Sequence, residues 1–375
     1  MSLRISAIIL LAGLTLTGCA SKPLQTFTKD STPLMLVPAI QHEDQDQRGR
    51  FREIFCEILE TRKSEIKHYR PCEEALVQVG PWPAGTGEPV DLGPAKRRLK
   101  VLFVPGVGWG CFSTWLSPEE AIPKHLQLFD YEMVTVDVNG LSGSEYNAAK
   151  IRNTIMEMPL PDSGPELVLV GYSKGAVDTL TALVDYPEIH DRVAAVISVA
   201  GAVGGSPLAN DAGEEHLNLL QRFPGVTCKQ QAGSALQDLR PGTRMAWLAN
   251  NPLPDTIPFY SVITFPDPAN ISSAMRGSYR KLSRVDARND GQLIYYDQFV
   301  PGSTLLAYLN ADHWAVAPIS RNLGAAGDLL LDKTDYPRGA LLEALLRYVE
   351  EELDSRGSAQ AERTGVASRY GHPAD

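Results

Sequence analysis

The pentapeptide Gly171-Tyr172-Ser173-Lys174-Gly175 restricts the fold of this chain more than any other feature. An apolar run at residues 167–170 precedes it, and a run of helix-forming character begins just after Gly175. G-x-S-x-G between a strand and a helix is typical of a nucleophile elbow, a turn so tight that it needs glycines beside the serine. The motif predicts that Ser173 is a nucleophile, and the alternative is a chance pentapeptide.

Short apolar runs and helical segments alternate on both sides of this motif. The predicted strands are residues 101–104, 131–138, 166–171, 193–200, 259–265 and 304–309. The predicted helices are residues 112–128, 146–158, 173–186 and an amphipathic closing segment, 336–353. This alternation predicts an α/β fold with a mostly parallel central sheet and helices on both faces. A ligand is then expected at the carboxyl ends of the strands.

The pattern also predicts how the chain is divided. We expect a signal peptide (1–18), a polar tether (19–48), one domain (49–354) and a disordered tail (355–375). Within the domain, residues 49–95 are an N-terminal extension with helices at 51–66 and from Pro71, and residues 201–258 are a cap over the site.

The N-terminus predicts export. Arg4 precedes the apolar run 5–16, which is too short to span a bilayer and fits a secretory signal. The ending Leu16-Thr17-Gly18-Cys19 resembles a bacterial lipobox. This resemblance implies cleavage before Cys19, lipid attachment to Cys19 and, without an aspartate after it, an outer-membrane lipoprotein facing the periplasm or the cell surface. The alternative is an ordinary signal with a chance cysteine.

The net charge excludes some classes of partner. A formal charge of −10 at pH 7 gives no electrostatic support for binding nucleic acid or an anionic lipid surface. We therefore expect contact with a membrane only through the lipidated Cys19.

Four cysteines follow Cys19, and an even number in an exported chain favours disulfides. Four cysteines allow three pairings. Pairing Cys56 with Cys72 closes a short loop and would leave Cys111 with Cys228.

A serine hydroxyl needs a base, and a base needs an acid to orient it. Among seven histidines, His313 alone follows the last predicted strand, at the edge where Ser173 should emerge. The acidic residues between Phe259 and His313 are Asp267, Asp286, Asp290, Asp297 and Asp312. Position and composition leave Asp267 and Asp290 as equal candidates.

An acyl-transfer intermediate needs two backbone donors for its oxyanion. One should be the amide of Lys174, and the other that of Val107 in the glycine-rich turn after the first strand. This turn lacks the spacing and acidic partner of a dinucleotide site, so no nucleotide cofactor is expected. Lys174 and Asp178 are four residues apart on the predicted helix and should form an ion pair.

From about residue 101 to 315, the sequence resembles the bacterial triacylglycerol lipases of the α/β-hydrolase superfamily. The resemblance is carried by the elbow and by segments 204–209, 234–250, 289–291 and 312–313. It implies the α/β-hydrolase fold with a cap insertion, and it favours Asp290 over Asp267 as the acid.

Two positions depart from that family. Its His-Gly before the oxyanion residue is Pro105-Gly106 here, and its calcium-binding carboxylate after the histidine is Ala315. Calcium is therefore not expected, and neither is any other metal or cofactor.

These observations predict a carboxylic-ester hydrolase of the lipase or esterase type, acting on a small-molecule or lipid ester through an acyl-enzyme on Ser173. Two alternatives stay open. One is a serine peptidase or amidase with the same catalytic residues, and the other is a non-catalytic envelope lipoprotein that uses the fold as a scaffold.

Overall fold

The computed structural model describes residues 45–109, 116–118, 120–159, 166–212, 230–317, 319–321 and 332–369. Their strands are β1 (Lys100–Val104), β2 (Leu116–Pro118), β3 (Glu132–Thr135), β4 (Leu167–Tyr172), β5 (Val193–Val199), β6 (Phe259–Thr264), β7 (Thr304–Leu309) and β8 (Ile319–Arg321). Their helices are α1 (Arg48–Thr61), α2 (Cys72–Ala75), α3 (Ala121–Gln127), α4 (Ser144–Glu157), α5 (Lys174–Asp185), α6 (Leu208–Asp211), α7 (Ala235–Asp238), α8 (Pro241–Asn250), α9 (Arg276–Leu282) and α10 (Arg338–Arg369). Within these ranges, no helix is both long and apolar enough to cross a bilayer.

Six strands form one parallel sheet in the order β3-β1-β4-β5-β6-β7. The predicted α/β-hydrolase fold, with a mostly parallel sheet between helices, is confirmed. The chain passes from β1 to β3 on one side and returns through α4 to β4 on the other side of β1. The direction of winding therefore changes between β1 and β4. Open α/β sheets bind ligands at such a point, outside the carboxyl ends of the strands.

Side chains of the central strands point alternately to two apolar cores. In β4, Val168 and Val170 enter the core under α1 and α10, while Leu167 and Leu169 enter the core under α4 and α5. Strands buried on both faces are continuous apolar runs rather than alternating ones. This burial explains why the strand predictions from uninterrupted apolar runs succeeded.

The N-terminal extension is part of the main core. Helix α1 buries one side completely, the residues being Phe51, Ile54, Phe55, Ile58 and Leu59. It packs beside α10, and ion pairs join the two helices: Arg50 to Glu351 at 2.7 Å, and the buried Arg62 to the fully buried Glu343. The first and last helices of the domain therefore cover the same face of the sheet.

The structure corrects the helix predicted at residues 112–128. Residues 110–115 and 119 lie outside the described ranges, and Leu116–Pro118 is strand β2, paired antiparallel with β8. Helix α3 begins only at Ala121. The partner strand lies about two hundred residues later, so no local periodicity could reveal the pairing.

The expected ends of the domain also differ from the structure. The tether was expected to reach residue 48, but Gln47 already donates its N–H to Leu305 O, and Arg48 is buried against Asp46. A disordered tail was expected from residue 355, but α10 continues to Arg369. Residues 355–369 contain many good helix formers, and Arg356 lies 3.9 Å from Glu352 one turn earlier.

A disulfide joins Cys56 of α1 to Cys72 of α2, with Cα atoms 5.2 Å apart. This confirms the first predicted pairing. Cys111 and Cys228, the other expected pair, lie outside the described residues. The bond closes a loop across a sequence separation of 16 and so restricts the unfolded chain.

Replacing both cysteines, Cys56→Ala with Cys72→Ala, should lower the free energy of unfolding by about 3 kcal/mol, because the unfolded chain regains the entropy that the closed loop removes. Urea unfolding at equilibrium measures this change. Wild-type protein in excess reductant should unfold like the double variant. Coincident curves for the oxidised wild type and the variant would contradict a stabilising role for this bond.

Candidate active site

Ser173 lies between β4 and α5 in a strained conformation, with φ 56° and ψ −124°. Residues with side chains rarely adopt a positive φ, and such strain is found where the surrounding structure enforces it. Here two glycines allow it. A Cβ on Gly171 would lie 2.5 Å from Ala176 Cα, and one on Gly175 would lie 1.9 Å from Val104 O. The start of α5 therefore contacts the ends of β4 and β1 directly.

The loop after β7 brings His313 to this serine. His313 Nε2 lies 2.9 Å from Ser173 Oγ, and its Nδ1 lies 2.8 Å from Asp290 Oδ2. A carboxylate can only accept, so Nδ1 carries the proton and Nε2 accepts from the serine hydroxyl. All three side chains are buried, with residue exposures of 8% for Ser173, 4% for His313 and 0% for Asp290.

Both carboxylate oxygens of Asp290 accept hydrogen bonds. Its Oδ1 accepts from the backbone N–H groups of Gln292 and Leu293, at 2.9 and 2.7 Å. Its Oδ2 accepts from the Thr264 hydroxyl at 2.7 Å as well as from His313. With a longer contact from Gln298 Nε2 at 3.4 Å, five donors surround this buried carboxylate and fix its orientation.

The other acidic candidates have different contacts. Asp312 accepts from the N–H and hydroxyl of Ser272 and from Ala315 N–H, and burial raises the pKa of its carboxyl while those hydrogen bonds lower it. Asp267 follows β6 at a partly exposed position, where its backbone N–H donates to Asn310 Oδ1. The carboxylate in contact with His313 is that of Asp290.

Two supporting side chains were not anticipated. Tyr172 donates its hydroxyl to His313 O at 2.8 Å, and its ring lies 5.2 Å from the imidazole. Thr264 ends β6 and reaches Asp290 from the sheet. Tyr172 belongs to the elbow pentapeptide, so its position was a usable signal. Nothing in the local sequence distinguishes Thr264 from other strand residues.

The expected oxyanion donors lie beside the serine. A Cβ on Gly106 would be 2.7 Å from Ser173 Cβ, so the turn that contains Val107 passes close to the elbow. Lys174 is the first residue of α5, where N–H groups have no acceptor within the helix. Among the residues that the structure describes, no protein group accepts from the N–H of Val107 or Lys174.

The Lys174 side chain points away from this site into the protein. Its Nζ lies 2.5 Å from Asp178 Oδ1, and both side chains are almost completely buried. The predicted ion pair is confirmed. Burial raises the pKa of Asp178, while Lys174 and a hydrogen bond from Asn147 lower it.

Helix α8, in the segment expected to form the cap, packs against one of the two apolar cores. Trp247 and Leu248 of α8 pack against the core under α4 and α5. In the described part of the chain, no three His, Cys, Asp or Glu side chains converge as a metal site requires. At Ala315, where the lipases that the sequence resembles were expected to place a calcium-binding carboxylate, the side chain is a buried methyl group and offers no oxygen ligand.

Comparisons with solved structures find proteins that this chain resembles. The chain is similar to the metagenomic carboxyl esterase MGS0156, with 37% identity and a TM-score of 0.79 over 86% of this chain and 97% of that one. It also resembles the propeptide form of the Bacillus licheniformis lipase BlEst2, with 22% identity and a TM-score of 0.50 over 65% of this chain and 52% of that one. The second likeness concerns the fold alone. No family model matches the sequence, and no curated protein matches it.

Replacement by alanine should have opposite effects on stability at two helical glycines, Gly175 in the elbow and Gly242 in α8. Gly175→Ala should lower the free energy of unfolding by at least about 2 kcal/mol, because its methyl would overlap Val104 O. Gly242→Ala in α8 has no atom within 4 Å of the new methyl and should stabilise the protein by up to about 1 kcal/mol. Denaturant unfolding of both variants measures the difference. Similar small changes in both would contradict the close contact.

Proposed function

The chain belongs to the family of the metagenomic carboxyl esterase MGS0156, and we propose on that premise that it hydrolyses carboxylic esters. The observation that carries the proposal is the line of hydrogen bonds from Ser173 through His313 to Asp290. Such a line is the arrangement by which a serine hydroxyl becomes a nucleophile.

In the first half of the reaction, Ser173 Oγ attacks the ester carbonyl while His313 Nε2 takes the hydroxyl proton. The developing imidazolium is stabilised by Asp290, which its hydrogen-bond donors hold in the correct orientation. The tetrahedral intermediate collapses when His313 returns the proton to the leaving alcohol. An acyl ester on Ser173 remains.

In the second half, water replaces the alcohol. His313 removes a proton from the water, whose oxygen attacks the acyl carbon, and the proton then passes to Ser173 Oγ as the acid leaves. The amides of Val107 and Lys174 hold the negative oxygen in both tetrahedral intermediates. Each such donor contributes roughly 3 kcal/mol of transition-state stabilisation in enzymes of this chemistry.

The proposed reaction predicts sharply different effects for two aspartates. Asp290→Asn should lower kcat for a short-chain p-nitrophenyl ester by about 10³- to 10⁴-fold, because the amide favours the wrong tautomer of His313. The matched control is Asp267→Asn, the same substitution on the loop after β6, which should change kcat by no more than about threefold.

A fluorophosphonate probe provides the second measurement. The wild type should be labelled, and Ser173→Ala and His313→Ala should not, since the first lacks the nucleophile and the second its base. A loss of activity with Asp267→Asn but not with Asp290→Asn would reassign the acid. A folded wild type that neither hydrolyses esters nor reacts with the probe would contradict the proposed function, and preferential cleavage of amides would replace it with the peptidase alternative.

We also propose that the protein is anchored in the outer membrane through lipid on Cys19, with the domain in the periplasm. The support is the likeness of Leu16-Thr17-Gly18-Cys19 to a lipobox and the absence of an aspartate after Cys19. Several acyl chains on one residue would hold a domain firmly at a bilayer.

Cys19→Ala should move the protein from the membrane fraction to the soluble fraction when it is expressed in a bacterium. Incorporation of radiolabelled palmitate into the wild type, and its loss in the variant, measures the modification directly. An unlabelled wild type that stays in the soluble fraction would contradict the anchor.

A further inference from the structure

The two proposed oxyanion donors belong to different segments of the chain. Val107 follows β1, and Lys174 follows β4. One oxygen must lie about 3 Å from both amides, and a shift of about 1 Å can cost two orders of magnitude in rate. The sheet register pairs Val104 with Gly171, and the donors lie beyond that last pair. Their separation must therefore depend on contacts outside the sheet.

The contacts that connect the elbow to the segment of Val107 start with the side chain of Lys174. Lys174 Nζ donates to Asp178 Oδ1 at 2.5 Å, within the first turns of α5. The other oxygen, Asp178 Oδ2, accepts from Asn147 Nδ2 on α4 at 2.8 Å. Lys174, Asp178 and Asn147 are each at most 1% exposed, so water does not compete for these hydrogen bonds.

Asn147 connects α4 to the turn that follows β3. Its Nδ2 also donates to Asn139 O at 3.1 Å, while its Oδ1 accepts from Asn139 N at 2.9 Å. Two hydrogen bonds between one side-chain amide and one backbone position fix both the distance and the orientation of that turn.

The turn after β3, which contains Asn139 and Gly140, contacts the segment that contains Val107. Gly140 O accepts from Gly108 N at 3.2 Å. A Cβ on Gly140 would lie 2.5 Å from the backbone nitrogens of both Gly108 and Trp109, so the two backbones are in direct contact. A continuous path of buried and partly buried contacts thus runs from Lys174 to the residue next to Val107.

We propose that Lys174, Asp178, Asn147 and Asn139 are positioning residues that hold the two oxyanion donors at a fixed separation. This inference rests on the proposed function, because it concerns the same site. A buried ion pair is weak evidence for added stability, since an apolar pair of similar volume is often as stable. What the polar path supplies is a defined geometry between two loops that no strand pairing connects.

The test breaks the path while leaving every backbone donor in place. The double variant Lys174→Met with Asp178→Leu replaces the ion pair with apolar side chains and leaves no unpaired charge. Asn147→Ala breaks the path on the other side of Asp178. In each variant, kcat for a p-nitrophenyl ester should fall about 10- to 100-fold, with KM within about threefold of the wild type.

The affinity for a boronic acid is the second measurement, because a residue with a purely structural role would leave that affinity unchanged. It forms a tetrahedral adduct on the serine with an oxygen in the oxyanion position, so its affinity should fall by nearly the same factor as kcat/KM. Labelling of Ser173 by the fluorophosphonate should continue, because the path does not include His313 or Asp290. Melting temperatures are measured for every variant.

The matched control is Glu343→Gln. It also replaces a buried carboxylate within an ion-pair network, on the opposite face of the sheet, where Arg62 and Arg347 contact it. It should lower the melting temperature while leaving kcat and boronic-acid affinity within about twofold of the wild type. An equal loss of kcat in this control would overturn the proposal, because the effect would then be one of general stability.

The remaining outcomes separate this inference from the proposed function. If the wild type hydrolyses esters and the folded double variant keeps its kcat, the positioning role is wrong and the proposed function stands. If Asn147→Ala does not fold, the double variant decides alone. If the wild type is neither active nor labelled, the proposed function fails and the positioning role falls with it.

Discussion

The contact between Gly175 and the carbonyl group of Val104 is the constraint on which the rest of the site depends. Because no side chain separates them, α5 begins directly against the end of β1, and the chain must turn sharply at Ser173 to leave β4. The serine is therefore presented where the winding of the sheet reverses. The loops after β1, β6 and β7 begin at the same edge of the sheet as Ser173. The residues on these loops therefore lie close to the serine.

Much of this organisation could be predicted from the sequence because it depends on local sequence patterns. Strands buried on both faces are uninterrupted apolar runs, so β7 was predicted with its observed bounds, Thr304–Leu309. The pentapeptide 171–175 specified the turn at Ser173, and the position of His313 after β7 followed from the order of the elements. The disulfide between Cys56 and Cys72 was favoured by their spacing.

The features that could not be predicted depend on contacts between residues that are far apart in the chain. Strand β2 exists because β8 pairs with it, and the burial of Arg48 at the end of the expected tether depends on Asp46 and on β7. Asp267 and Asp290 both follow β6 in the chain, so position alone left both open; the resemblance to lipases favoured Asp290, and the path of the long loop brings its carboxylate to His313. Thr264 and Asn147 have ordinary sequence surroundings and acquire their contacts only when separate segments meet.

The pairing of the first helix with the last has a consequence for when the domain can form. Arg50 contacts Glu351 across 301 residues of chain, and Arg62 contacts Glu343 across 281. A ribosome that has completed the elbow and all six strands of the parallel sheet has still not made the helix that covers one face of that sheet. Until translation passes residue 351, α1 lacks its partner and the apolar face beneath α10 is open to solvent or to other chains. Folding as a cooperative unit therefore waits until α10 can join the rest of the domain.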